Sequence, residues 1–67
     1  MGLRPIEYIN LTRIKEAQIQ LVSTNEPIKV IAMEVGIDNL AYFSRLFKKY
    51  VGNTPSEYRK LHRLILS

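Results

Sequence analysis

The stretch that decides the fold runs Pro27-Ile28-Lys29-Val30-Ile31-Ala32-Met33-Glu34-Val35-Gly36-Ile37-Asp38-Asn39-Leu40-Ala41-Tyr42-Phe43-Ser44-Arg45-Leu46-Phe47-Lys48-Lys49-Tyr50-Val51-Gly52. Ile28, Ile31, Ala32 and Val35 fall at i, i+3, i+4 and i+7, and so do Phe43, Leu46, Phe47 and Tyr50. That spacing places each set on one face of a helix. The two helices are predicted over about 28–35 and 40–51. Gly36 between them supplies the backbone freedom of a tight turn, Ala32 lets the helices approach closely, and Asp38-Asn39 can cap the second helix. The pattern is that of a helix-turn-helix unit.

Outward from this stretch the chain stays helical. Upstream, Pro5 suits a first helical turn, and Ile14, Ala17 and Leu21 form an apolar stripe on a helix from about Pro5 to Ser23. Tyr8, Leu11, Ile19 and Val22 make a second strip, so this helix is expected to meet two different bodies. Downstream, Thr54-Pro55-Ser56-Glu57 reads as a capping box with proline at the first helical position. It opens a helix reaching about Leu66, with Tyr58, Leu61 and Ile65 inward and Arg59, Lys60 and Arg63 outward. The fold class is all-α, a single domain over 1–67.

The chain has 67 residues, 46% of them hydrophobic and 24% charged, which fits one small globular domain. It has no cysteine, which excludes disulfides, thiolate metal sites and a cysteine nucleophile. No apolar run is long enough for a membrane span or a secretory core, so the expected compartment is the cytoplasm, with no membrane partner. Net charge is +4 and uneven. Residues 1–40 carry four bases and five acids, whereas 41–67 carry six bases against Glu57 alone. A basic half on a small domain suits a polyanion.

The outer face of the 40–51 helix makes that partner double-stranded DNA. At about 100° per residue, with Phe43 at zero, Ala41, Ser44, Arg45 and Lys48 lie far round from the aromatic stripe. Small residues permit entry into the major groove, and arginine can bind guanine O6 and N7 together. Lys48 and Lys49 are placed for phosphates, and Asn39 and Tyr42 are assigned with them to the DNA backbone. Tyr42 leaves two readings open, a phosphate or thymine-methyl contact and packing on the helix flank. Phe43, Phe47, Tyr50 and Tyr58 read as core. His62 reads as structural, Arg13 and Glu16 as a surface pair, and Arg59, Lys60 and Arg63 as a solvated face. No catalytic, cofactor or metal site is expected.

A repeat is also visible. Gly2-x-x-Pro5-x-Glu7-Tyr8 recurs as Gly52-x-x-Pro55-x-Glu57-Tyr58, each matched residue 50 positions on. Tandem units produce such a period, and the chain reads as cut from something longer.

From Pro27 to Arg59, the set Ile31-Ala32, Val35-Gly36-Ile37-Asp38, Tyr42-Phe43-Ser44-Arg45, Phe47-Lys48-Lys49, Gly52, Thr54-Pro55 and Tyr58-Arg59 resembles the signature of the AraC/XylS family of bacterial transcription regulators. Arg13-Ile14, Ala17, Leu21 and Thr24 resemble the helix that precedes it. The resemblance covers about residues 2–60. It implies a long linker helix followed by a homeodomain-like three-helix unit, the second of two such units. The first unit and any effector domain would lie outside this chain. It puts Leu40, Ala41, Ser44 and Arg45 at base-facing positions. Departures are Ile37 for the usual phenylalanine, Ala41 for serine, Gln20 for leucine and Arg4 for a Ser or Thr cap. Neither Leu40 nor Ala41 can hydrogen-bond a base through its side chain. The reading is a sequence-specific DNA-binding module of a transcription activator. The alternative is a protein-interaction module contacting RNA polymerase or a partner subunit.

Overall fold

The computed structural model describes residues 5–66, with side chains through residue 63. Four helices follow in order: α1 Pro5–Ser23, α2 Ile28–Glu34, α3 Leu40–Val51 and α4 Pro55–Leu66. Among the described residues there is no strand. Helix α2 stops one residue short of the sequence expectation, with Val35 as its C-cap.

The boundaries have local causes. Gly36 stands at φ 93°, the left-handed region that glycine enters without a Cβ penalty. Its N–H donates to the Met33 carbonyl at 3.0 Å, and the Ile37 N–H donates to the Ala32 carbonyl at 2.8 Å. This pair of bonds is the Schellman closure of a helix, and the residue after the glycine, Ile37, turns into the core as that closure favours. Asn39 then starts α3, its Oδ1 accepting from the Tyr42 N–H at 2.9 Å. The capping box of α4 forms as its sequence predicts. The Thr54 N–H donates to Glu57 Oε1 at 2.9 Å, and the Glu57 N–H donates to Thr54 Oγ1 at 3.2 Å.

Helix α1 packs against all three others. Its buried face is Asn10, Ile14, Ala17 and Leu21, at i, i+4, i+7 and i+11. With Ile31 and Ala32 of α2, Ile37 of the turn, and Phe43, Leu46 and Phe47 of α3, these apolar residues form one core. An aromatic line extends it into α4. The Phe43 and Phe47 rings lie 5.9 Å apart, Tyr58 meets Phe47 edge-on at 5.5 Å, and His62 lies against Tyr58 at 4.0 Å. His62 Nδ1 is also 3.1 Å from the Tyr58 carbonyl oxygen, so the ring has the structural role expected of it.

Three expectations need correction. Leu61 does not face inward; it is 45% exposed, because α4 presents Tyr58 and His62 to the core instead. Ile65, paired with it in the sequence reading, lies outside the described side chains. Arg13 does not serve a surface pair with Glu16; its Nη1 donates to the Gly36 carbonyl at 3.3 Å, tying α1 to the α2–α3 turn. Of the expected solvated face Arg59, Lys60 and Arg63, Lys60 and Arg63 are exposed but Arg59 is half-buried, and the two arginines are engaged rather than simply solvated. They fold back onto the carbonyls that end α1, whose last turn carries no basic residue of its own.

Candidate nucleic-acid interface

Burying Phe43, Leu46 and Phe47 leaves the opposite side of α3 in solvent. Ala41, Arg45 and Lys48 are exposed there and Ser44 is half-buried, while Leu40 and Lys49 are exposed on the two flanks, Leu40 only about 60° round from Phe43. Of the residues expected to face bases, Ala41, Ser44 and Arg45 lie away from the buried stripe and Leu40 stands nearer to it; both lysines are in the last turn of α3. A cation at that end is favoured by the helix dipole and by the carbonyls left without partners. Lys49 Nζ also sits 5.7 Å from the centre of the Tyr50 ring, within cation–π range. Asn39, expected to meet a phosphate, spends its Oδ1 on the helix cap.

Tyr42 leaves this surface for the flank. It is 42% exposed, and its hydroxyl lies 3.4 Å from Asn10 Nδ2 of α1. Between the two helices is a hollow of about 290 Å³, bordered by Asn10, Tyr42, Arg45, Lys49, Tyr50 and Glu7. Sequence reasoning missed Asn10, which is 8% exposed and occupies a position the apolar stripe of α1 would give to an aliphatic residue. The available signal was its place four residues before Ile14 on that stripe.

It also missed the arginine pair. Arg59 Nε donates to the Leu21 carbonyl at 3.0 Å, and its Nη2 donates to Glu26 at 2.7 Å and Thr24 at 3.4 Å. Arg63 Nη2 donates to the same Thr24 carbonyl at 2.6 Å. Burial, and then the neighbouring Arg63 charge, lowers the Arg59 pKa from its ordinary value. The guanidinium remains charged in any protein setting. The i, i+4 spacing of Arg59 and Arg63 puts them on one face, but only the structure says which carbonyls that face meets.

A capped helix pair with an apolar inner face and a basic outer face, set on a long supporting helix, defines a helix-turn-helix protein. The chain belongs to the helix-turn-helix domain family, whose profile matches residues 1–61. Its relatives are AraC-family transcription regulators. It is 46% identical over 61 residues to an uncharacterized HTH-type transcriptional regulator, YisR, from Bacillus subtilis, covering 91% of this chain and 21% of that protein. It is 39% identical over 59 residues to the arabinose operon regulatory protein of Escherichia coli, covering 88% of this chain and 20% of that one. A solved structure of a protein of unknown function from Listeria innocua superposes with a TM-score of 0.88 at 40% identity, over 92% of this chain and 59% of that one. The chain thus spans about a fifth of the length of the two regulators. Among the described residues no helix is long and apolar enough to cross a membrane, and no three or more His, Cys, Asp or Glu side chains are grouped as metal ligands.

Proposed function

We propose that the chain is a sequence-specific DNA-binding module in which α3 enters the major groove. The observation that carries this reading is the outer face of α3. Ala41 and Ser44 are small enough for close approach, and exposed Arg45 lies nearly opposite the buried aromatic stripe. Arg45 supplies the two-pronged donor that guanine accepts. Leu40 and Ala41 add apolar contact to base edges, and Lys48 and Lys49 meet phosphates on either side. Asn39, whose Oδ1 caps α3, is assigned to the DNA backbone at the N-terminal end of the helix, where the N–H groups that remain free favour an anion.

In this reading α1 is a linker helix. Ile6, Tyr8 and Ile9 are exposed on its first turns, and Leu11 is half-buried beside them. A first helix-turn-helix unit in a longer regulator would cover them, and an effector domain would account for more of the length that the relatives have and this chain lacks. The same exposed strip favours the second reading, a surface docking on RNA polymerase or a partner subunit.

Salt separates the two. Titration of the chain with a mixed-sequence duplex at two ionic strengths should give steeply salt-dependent binding, with a dissociation constant of roughly 10⁻⁴–10⁻⁶ M at physiological salt. Apolar docking would be nearly insensitive to salt, and duplex binding without a salt slope would reject the DNA reading.

A further inference from the structure

Asn10 is a polar residue where α1 needs an apolar one. It opens the buried series Asn10, Ile14, Ala17, Leu21, and only 8% of it is exposed. A buried amide costs free energy unless it is hydrogen-bonded, and a leucine there would bury more apolar surface at no such cost. Its bond to Tyr42 is a long one, 3.4 Å. Stability is therefore a poor account of this residue.

The direction of that bond gives a better one. Asn10 Nδ2 donates, so the Tyr42 oxygen accepts, and the phenolic proton is left to be given elsewhere. Accepting a hydrogen bond also polarises the O–H and makes it a stronger donor. Arg45 and Lys49 border the same hollow, and Glu7 is the acid there, so positive charge outnumbers negative by two to one. A donor proton beside two cations suits an anionic oxygen.

We propose that Asn10, Tyr42 and Lys49 form a seat for one DNA backbone phosphate at the crevice between α1 and α3. Tyr42 and Lys49 touch the phosphate. Asn10 is a positioning residue: it holds the tyrosine oxygen from behind and turns its proton outward. The linker helix thereby sets the angle at which the recognition helix meets the duplex. The inference rests on the DNA-binding reading and adds to it a contact controlled from α1.

The test is a double-mutant cycle on the 67-residue chain, read as affinity for a mixed-sequence duplex with a thermal melt of each variant beside it. Asn10→Leu and Tyr42→Phe should each weaken binding by about three- to tenfold, the size of one hydrogen bond. The double variant should be no weaker than Tyr42→Phe alone, because Asn10 acts only through the Tyr42 hydroxyl. The salt slope should stay at the wild-type value in all three, since no charge is removed, whereas Lys49→Ala should flatten it by about one unit. Asn10→Leu should melt no lower than wild type, which separates positioning from a merely structural role. Asn10→Ala, smaller and free of clash, repeats the test should leucine distort the crevice. Unchanged affinity in Asn10→Leu and Asn10→Ala, or penalties that add in the double variant, would overturn the proposal and leave the DNA reading standing. A wild-type chain that does not bind duplex would overturn both.

Discussion

The Arg59 side chain reaches from α4 to the Leu21 carbonyl, 38 residues earlier, at 3.0 Å. The last four carbonyls of a helix have no partner within it, and α1 ends without a base of its own to satisfy them. Arg59 and Arg63 supply the missing donors and the favourable charge from the far end of the chain. They fasten α4 to the α1–α2 junction, so the unit that holds α3 is oriented on α1 by polar bonds as well as by its core.

Arg59→Ala should therefore lower stability by about 1.5–3 kcal/mol, the worth of hydrogen bonds from a charged donor. Arg59→Lys should recover part of the loss, because an ammonium cannot reproduce the planar fork that spans the Leu21 and Glu26 carbonyls. Chemical denaturation of the two variants checks this. A melt of Arg59→Ala equal to wild type would show that water satisfies the carbonyls equally well.

Gly36 offers a second test. At φ 93° any L side chain is strained, and an added Cβ would stand 3.2 Å from Arg13 Cζ. The arginine is long enough to give way, so the backbone strain dominates. Gly36→Ala should cost about 1–3 kcal/mol. The same change at Gly52, φ 95° with open space around the new Cβ, isolates the strain alone. Thermal melts of the two should differ by no more than the contact with Arg13 adds.

The capping box makes α4 sensitive to acid. The backbone N–H of Thr54, and then its hydroxyl, hold the Glu57 carboxylate below its ordinary pKa. A carboxylate whose pKa is lower in the folded than in the unfolded state contributes stability above the unfolded value, about 4.3, and that contribution fades as pH falls through the folded value. Wild type should lose this part of its stability below about pH 4.3. Glu57→Gln should be less stable at neutral pH and lack that increment of acid loss. Melting both proteins from neutral pH downward reads the difference, and parallel curves would remove Glu57 from the account.

The elements were legible in the sequence because each is written twice, in its apolar period and in its ends. Gly36, Asn39, Gly52 and Thr54-Pro55 place the boundaries that the structure has, and the core residues Ile14, Ala17, Leu21, Phe43 and Phe47 follow from spacing alone. The outer face of α3 was legible for the same reason, as the complement of its buried stripe. What escaped were polar contacts between elements distant in sequence. Periodicity states which way Arg59 and Arg63 point along α4, but not that the end of α1 lies in front of them. Asn10 escaped because a polar residue on an apolar stripe is an exception to the pattern that located the stripe. Leu61 was misplaced because the angular position of an apolar residue does not say whether a neighbouring helix extends far enough to cover it.

Arg45 carries the last prediction. Its exposure, nearly opposite Phe43 and Phe47, means the core does not need its guanidinium. On the outer face of α3 it is the residue able to hold guanine by two bonds at once. In a full-length regulator, Arg45→Ala should cost about 1–3 kcal/mol of binding and relax preference at one base position. Lys48→Ala should weaken binding to all sequences and lower the salt slope by about one unit. Arg45 also borders the crevice toward α1, which offers it a competing role beside Tyr42 and Lys49 as a phosphate ligand. The two roles part when each variant is titrated against the native site and a random duplex. A base reader loses affinity for the native site and keeps it for the random one. Equal loss on both duplexes would make Arg45 a backbone anchor and leave Leu40, Ala41 and Ser44 as the base-facing surface.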